Sequence, residues 1–287
     1  MRTSFFQALP YLPSIDTLKL TFKLKGGEDV NTEKKPILLG ILGGLGPMSG
    51  VYFCEMLTSH TQAACDSQHI NFLLSSRANT PDRSSFILGK SKNDPTPVMI
   101  EEAKRLENAG ANIIAIPCNT AHYFYKSICD AVSIPIINII EETADFCKHE
   151  GLERVAVLAT EGTIASGAYC DVFNERGIDI LALTKDEQAL VTSIIFDQIK
   201  KGLAPNVNDF VRLCDDLKSR GCERVILGCT ELSLIKKEYE IPDFFIDSLE
   251  VLTLRAILKC NKQPIGFDEP LMNYYAQARK EDLPLCY

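Results

Sequence analysis

From Pro36 onward, short apolar runs alternate with longer stretches of helical spacing. The first half carries PILLGIL (36–42), HINFLLSS (69–76), ANIIAIP (111–117) and IPIINII (134–140). RVAVLAT (154–160), IDILAL (178–183), ERVILG (223–228) and DFFID (243–247) follow in the second. Each is bounded by Gly, Pro or polar residues and rich in Ile, Leu, Val or Phe, the pattern of strands buried on both faces. Between them, TPVMIEEAKRLENAG (96–110), LVTSIIFDQIKKG (190–202) and DFVRLCDDLKSRG (209–221) space apolar residues as helices do and end in Gly, a common C-cap. Strands alternating with helices predict parallel βαβ units and an α/β fold. The first 35 residues differ. LKLTFKLK (18–25) alternates with period two, as a half-buried strand would, and GGEDVNTEKK (26–35) reads as a solvated linker.

The pattern repeats at a finer grain. AGANIIAIPCNTAHYF continues to SIPIINIIEETADF, and RGCERVILGCTELSLI continues to EIPDFFIDSLEVL. In each half a helix closes on Gly, a strand ends in a cysteine followed by polar residues, and a later Ile-Pro opens another strand. Cys118 and Cys229 occupy matching places, which predicts a duplicated pair of α/β domains. Open α/β sheets bind ligands outside the carboxyl ends of their strands. A thiol there, opening a helix, meets unpaired N–H groups that favour thiolate. Two thiols facing each other across a cleft, one ionised and one not, make a base and an acid on opposite sides of a carbon. That arrangement suits inversion of a stereocentre and needs no cofactor motif.

Composition narrows the field without changing the picture. The 287 residues are 46% hydrophobic, enough for a sizeable core, and no apolar run reaches the length of a membrane span. A formal charge of −8 and the lack of a dense Lys/Arg block argue against a nucleic-acid surface. Eleven cysteines with no C-x-x-C pair fit a reducing compartment, hence the cytoplasm, better than a disulfide framework or zinc ribbon. The segment before Glu28 is poor in acids, so an organelle transit segment stays open alongside an edge strand or an exchanged arm.

At the cysteines the chain resembles a known family. IPCNTAH (116–122) and LGCTEL (227–232) are similar to the paired signatures of the aspartate/glutamate racemases that work without pyridoxal phosphate. GILGGLGPMSG, TPDRSSFILGK, LATEGTIASGAY and IEETADF resemble further family segments in the expected order, from about Pro36 to Ile257. The resemblance implies two similar α/β domains with mostly parallel sheets, related by a pseudo-two-fold axis, with the active site in the cleft between them. The first domain would comprise 36–141 plus 248–287 and the second 142–247, after an N-terminal extension of 1–35. Cys118 and Cys229 would be the two catalytic bases. Glu231, where glutamate racemases typically carry His, and the absence of an acid in GILGGLGP resemble the aspartate branch. By the same resemblance Arg83 meets a substrate carboxylate, an interaction suited to the planar guanidinium fork. Thr163 and Lys200 line the pocket, Asn119, Thr120 and Thr230 hold the α-carboxylate and amine, and Leu45 and Gly46 approach through the backbone. The implied substrate is a small acidic amino acid, aspartate first, with no cofactor and no metal; a homodimer is expected. Lys201 beside Lys200 and Arg77 near Arg83 are competing cations. Glutamate or broad-specificity racemisation and maleate isomerisation are alternatives on the same cysteine pair.

Three other readings compete. His122, four residues after Cys118, could form a Cys–His nucleophile pair or half a metal site. The glycines of GILGGLGPMSG suggest a dinucleotide fingerprint, although Pro47 interrupts it and the next run ends without an acid. A non-catalytic carboxylate-binding protein on the same fold is the third.

Overall fold

The apolar runs become strands, each handing the chain to a helix. In the computed structural model, which describes residues 36–239, 241 and 244–281, β1 spans Leu38–Gly43 and runs into α1, Pro47–Ser59. Next come β2 (Asn71–Ser76), α2 (Arg83–Ile87), α3 (Thr96–Asn108), β3 (Ile113–Ala115), α4 (Tyr125–Cys129), β4 (Ile136–Ile137) and α5 (Ile139–His149). The second half repeats the alternation with β5 (Arg154–Leu158), α6 (Glu161–Ala165), α7 (Ala168–Glu175), β6 (Asp179–Ile180), α8 (Lys185–Ser193), α9 (Val207–Ser219), β7 (Arg224–Leu227), α10 (Ser233–Glu238) and β8 (Phe245–Asp247). Helices α11 (Ser248–Lys259) and α12 (Glu269–Glu281) close the chain. The alternation proposed for LKLTFKLK and the last residues of the C-terminal tail lie outside the described residues.

Two four-stranded sheets result, ordered β2-β1-β3-β4 and β6-β5-β7-β8, and every pairing within them is parallel. The order is the same in both. Each sheet therefore reverses its winding between its first and third strands, and the crevice at such a reversal is where open α/β sheets take ligands. Both switch points lie beside the strand ends that carry the cysteines.

Three expected elements differ from the pattern. IPIINII is a strand only at Ile136–Ile137, because the Asn138 side chain caps the N–H groups of Ile140 and Glu141 and starts α5 there. IDILAL is a strand only over Asp179–Ile180. The helix expected over 190–202 begins earlier, at a Thr184–Glu187 capping box. It then loosens into a π-turn over Ile194–Gln198 and ends as a 3-10 turn over Ile199–Lys201.

The apolar faces pack where the helices lie between the sheets. Ile41 of β1, Phe53 of α1, Ile139 of α5, Val157 of β5 and Leu252 of α11 share one buried cluster. Within it α12 contributes Leu271, Tyr274 and Tyr275. A buried ion pair joins α5 to α11, with Arg255 Nε 2.5 Å from Glu142 Oε2. Among the described residues no helix is long and apolar enough to cross a membrane.

Candidate active site

Four strand ends deliver the site. Leu45 and Gly46 follow β1, Cys118 to Thr120 follow β3, Thr160 follows β5, and Cys229 to Glu231 follow β7. Arg83 opens α2, whose Asp82 cap accepts the Ser85 N–H at 2.7 Å. Lys200 arrives on the 3-10 turn after the π-turn. Leu45, Arg83, Cys118, Asn119, Thr120, Lys200, Cys229 and Thr230 line one narrow cleft. Asp82, Ser84, Thr160, Phe196 and Glu231 complete its wall. Gly46 and Thr163 are outside that lining, Gly46 against Glu231 and Thr163 against Thr120.

Cys118 Sγ donates to the Leu45 carbonyl at 3.3 Å, and the same oxygen accepts from Arg83 Nη2 at 2.5 Å. Arg83 Nη1 donates to the carbonyls of Thr80 and Pro81, at 3.3 and 3.1 Å. Among the described residues this buried guanidinium makes no ion pair. A buried cation held only by carbonyl dipoles is poised for an anion, because a carboxylate would supply the charge those dipoles only approximate. Arg77 is not its rival: it is committed to Glu101 and Glu102, each at 2.7 Å.

The second thiol has different company. Cys229 Sγ donates to Glu231 Oε2 at 2.9 Å, and Glu231 Oε1 pairs with Lys200 Nζ at 2.8 Å. Burial, and then the Glu231 charge, push the Cys229 thiol well above its ordinary value, with Lys200 opposing. The thiolate expected from a helix N-terminus is therefore not what surrounds Cys229: α10 starts only at Ser233 and is six residues long. Burial pulls the Lys200 ammonium down, but Glu231 and Cys229 carry it above its usual value. Lys201 points elsewhere, to Asp197 at 2.8 Å.

Hydroxyls stitch the two halves together behind the thiols. Thr120 Oγ1 lies 3.0 Å from Thr160 Oγ1 and 2.8 Å from Thr163 Oγ1, and Ser84 Oγ donates to Thr160 at 3.0 Å. Thr230 Oγ1 donates to Ser49 Oγ at 2.7 Å. Asn119 is braced at both ends: Tyr169 OH donates to its Oδ1 at 2.8 Å, and its Nδ2 donates to Ser248 Oγ at 3.1 Å. Thr160, Ser84, Tyr169 and Ser248 escaped sequence reasoning. Thr160 alone carried a signal, as the cap before the EGT turn.

Two of the competing readings, those on His122 and on the glycine loop, lose their support in this geometry. His122 Nε2 accepts the Ile139 N–H at 3.2 Å, which fixes its proton on Nδ1, 2.9 Å from the Cys118 carbonyl. Burial depresses its pKa to about 4. Both nitrogens are thus spent on backbone, and neither serves a sulfur. Among the described residues no three His, Cys, Asp or Glu side chains gather as a metal site. After β1 the chain enters α1 at Pro47, and β2 ends at Ser76 without an acid, so the dinucleotide fingerprint stays incomplete.

The Asp/Glu/hydantoin racemase family model matches residues 42–256. The chain belongs to this family. Of its members, the broad-specificity amino-acid racemase RacX of Bacillus subtilis is 27% identical over 215 residues, 74% of this chain and 92% of that protein. Glutamate racemase of Aquifex pyrophilus is 29% identical over 178 residues, covering 58% of this chain and 65% of the relative. Among solved racemase structures, Picrophilus torridus aspartate racemase is 30% identical, with a TM-score of 0.66, covering 80% of this chain and 96% of that one. Two parallel-sheet α/β domains are thus the racemase fold, and the chain is a racemase-family enzyme.

Proposed function

We propose that the protein racemises an acidic amino acid, aspartate first, through Cys118 and Cys229 and without a cofactor. One observation carries this reading: equivalent strand ends of two like-ordered sheets bring one thiol each to the same cleft. One thiol removes the α-proton and the other returns a proton to the opposite face. The buried Arg83 receives a substrate carboxylate, and Lys200 offers a second cation across the cleft. Asn119, Thr120 and Thr230 hold the α-carboxylate and amine in place, with Thr163 bracing Thr120 and the Leu45–Gly46 backbone closing the near side. The similarity to an aspartate racemase, together with Glu231 in place of histidine, favours aspartate. The similarity to a broad-specificity racemase makes a wider substrate range the second reading. The division into 36–141 plus 248–287 and 142–247, and a cytoplasmic location, belong to the same proposal.

The test is incubation with L-aspartate in D₂O with nothing else added. Circular dichroism is expected to decay to the racemate while deuterium enters the α position. Single Cys118→Ala and Cys229→Ala variants are expected to lose at least about 10²-fold in rate, the scale of a lost acid or base. Retained racemisation in the double variant refutes the two-thiol chemistry. A panel of aspartate, glutamate, neutral amino acids and maleate separates the substrate readings.

A further inference from the structure

The two thiols are not equivalent in their proton partners. Cys118 donates to a carbonyl, which takes no proton, whereas Cys229 donates to the carboxylate of Glu231. Glu231 is itself held by Lys200, and both side chains reach the cleft where a substrate would lie. Gly46 leaves room for this arrangement: a Cβ there would stand 2.5 Å from Glu231 Oε1. The carboxylate is therefore fixed on three sides, by a thiol, an ammonium and a bare backbone.

We propose that Glu231 is the proton acceptor that turns Cys229 into a base, and that an acidic substrate arms it by drawing Lys200 onto its side-chain carboxylate. The proposal rests on the racemase reading. With Lys200 paired to it, the Glu231 carboxylate has its countercharge and Cys229 stays a thiol. Once Lys200 turns to the substrate, a buried carboxylate is left with the Cys229 S–H as its remaining partner, and burying a charge without a countercharge is costly. The Cys229 S–H bond then breaks as an O–H bond forms on Glu231 Oε2. The thiolate takes the α-proton, leaving the electron pair on Cα, and the Cys118 thiol protonates the opposite face. Solvent carries the Glu231 proton back to Cys118, which restores the starting state. The other direction retraces these steps: solvent carries the Cys118 proton to Glu231, the Cys118 thiolate takes the α-proton, Cys229 donates to the opposite face, and Glu231 returns its proton to the Cys229 thiolate. Glu231 is thus a positioning and proton-holding residue acting through Cys229, and Lys200 couples it to substrate charge.

Isotope effects test this where rates alone cannot. Enantiomers have equal free energy, so kcat/KM is equal in the two directions for any variant. The experiment measures kcat, KM and the primary isotope effect with α-deuterated L- and D-aspartate for the wild type, Glu231→Gln, Cys229→Ser and Cys118→Ser. Glu231→Gln is expected to lower kcat/KM on the order of 10²-fold. Its isotope effect is expected to rise for the same enantiomer as in Cys229→Ser and to fall for the other, with Cys118→Ser showing the opposite pattern. The preference for aspartate over asparagine is expected in kcat as well as KM, and its kcat part is expected to vanish in Glu231→Gln. Wild-type turnover in Glu231→Gln, isotope effects that stay symmetric or follow Cys118→Ser, or a preference confined to KM overturns the inference and leaves the racemase reading standing. A wild type that exchanges no α-proton from any amino acid overturns both.

Discussion

Gly162 is the position where a single methyl group should uncouple activity from stability. It lies in α6 against the first turn of α2, and an added Cβ would sit 2.6 Å from Ser84 Cα, 2.8 Å from its Oγ and 2.9 Å from its Cβ. The nearest of these atoms is backbone, so no rotamer change relieves the clash. Ordinary contact begins at 3.4 Å, and the two helices must therefore part by about 0.8 Å. The displacement falls between Arg83, next to Ser84, and Thr163, next to Gly162, and it stretches the 3.0 Å Ser84–Thr160 bond. Overpacking of this kind costs about 1–3 kcal/mol. Alanine in place of a helical glycine returns about 1 kcal/mol. At about 2–4 °C per kcal/mol, the net loss in Tm should stay below about 8 °C. Misplacement of reacting groups by about 1 Å costs on the order of 10² in rate. Gly162→Ala should therefore remain folded while racemising the best substrate of the panel about 10²-fold more slowly, read by circular dichroism decay alongside thermal unfolding. Turnover within about 3-fold of wild type would refute the argument that this contact sets the cleft.

Two further outcomes follow from buried charge. His122 is held neutral, with a pKa near 4 against 6.5 for a free imidazole. The unfolded chain therefore binds a proton first as pH falls. Stability is full above about 6.5, declines between 6.5 and 4, and changes no further through this group below that. The difference amounts to about 3 kcal/mol, and His122→Gln should flatten that part of a denaturant-stability profile; an unchanged slope would rule the histidine out as its source. Glu142→Ala would strand the buried Arg255 guanidinium between α5 and α11, which should cost about 3–5 kcal/mol and lower Tm by about 6–20 °C. Replacing both partners by apolar residues should cost much less, and equal losses in the single and double variants would show that the pair itself is not the source.

Much of this molecule is readable from local pattern, because buried parallel strands are short apolar runs whatever their neighbours. β1 and β7, buried along most of their length, lie where their runs predicted, and so do the cysteines after β3 and β7; β2 also lies where expected, but at the sheet edge it is half exposed rather than buried on both faces. The misreadings come from side chains that compete with the apolar signal. Asn138 turns the end of IPIINII into a helix start, and Thr184 with Glu187 moves the start of α8 upstream. In the site, Glu231 was legible only as a mark of substrate branch. Its grip on Cys229 is local, but its bond to Lys200 joins segments on different elements. The Thr120–Thr160–Thr163 triangle likewise spans both halves, and no spacing rule encodes a contact between them. The expected thiolate at Cys229 failed for an energetic reason: burial beside a carboxylate outweighs a short helix that begins too late to help.

The π-turn at Ile194–Gln198 gives the cleft an adjustable part. A π-turn holds one residue more than the α-helical turn it replaces, and each residue rotates a helix by about 100°. Lys200 faces Glu231 while Lys201 faces solvent and Asp197, so the cation that lines the cleft is selected by winding rather than by residue type. A one-residue gain or loss in this turn re-aims the whole face of the segment and leaves both sheets and both cysteines untouched. Such a length change would alter which cation the cleft presents, an effect that point substitution of the cleft's other residues does not have.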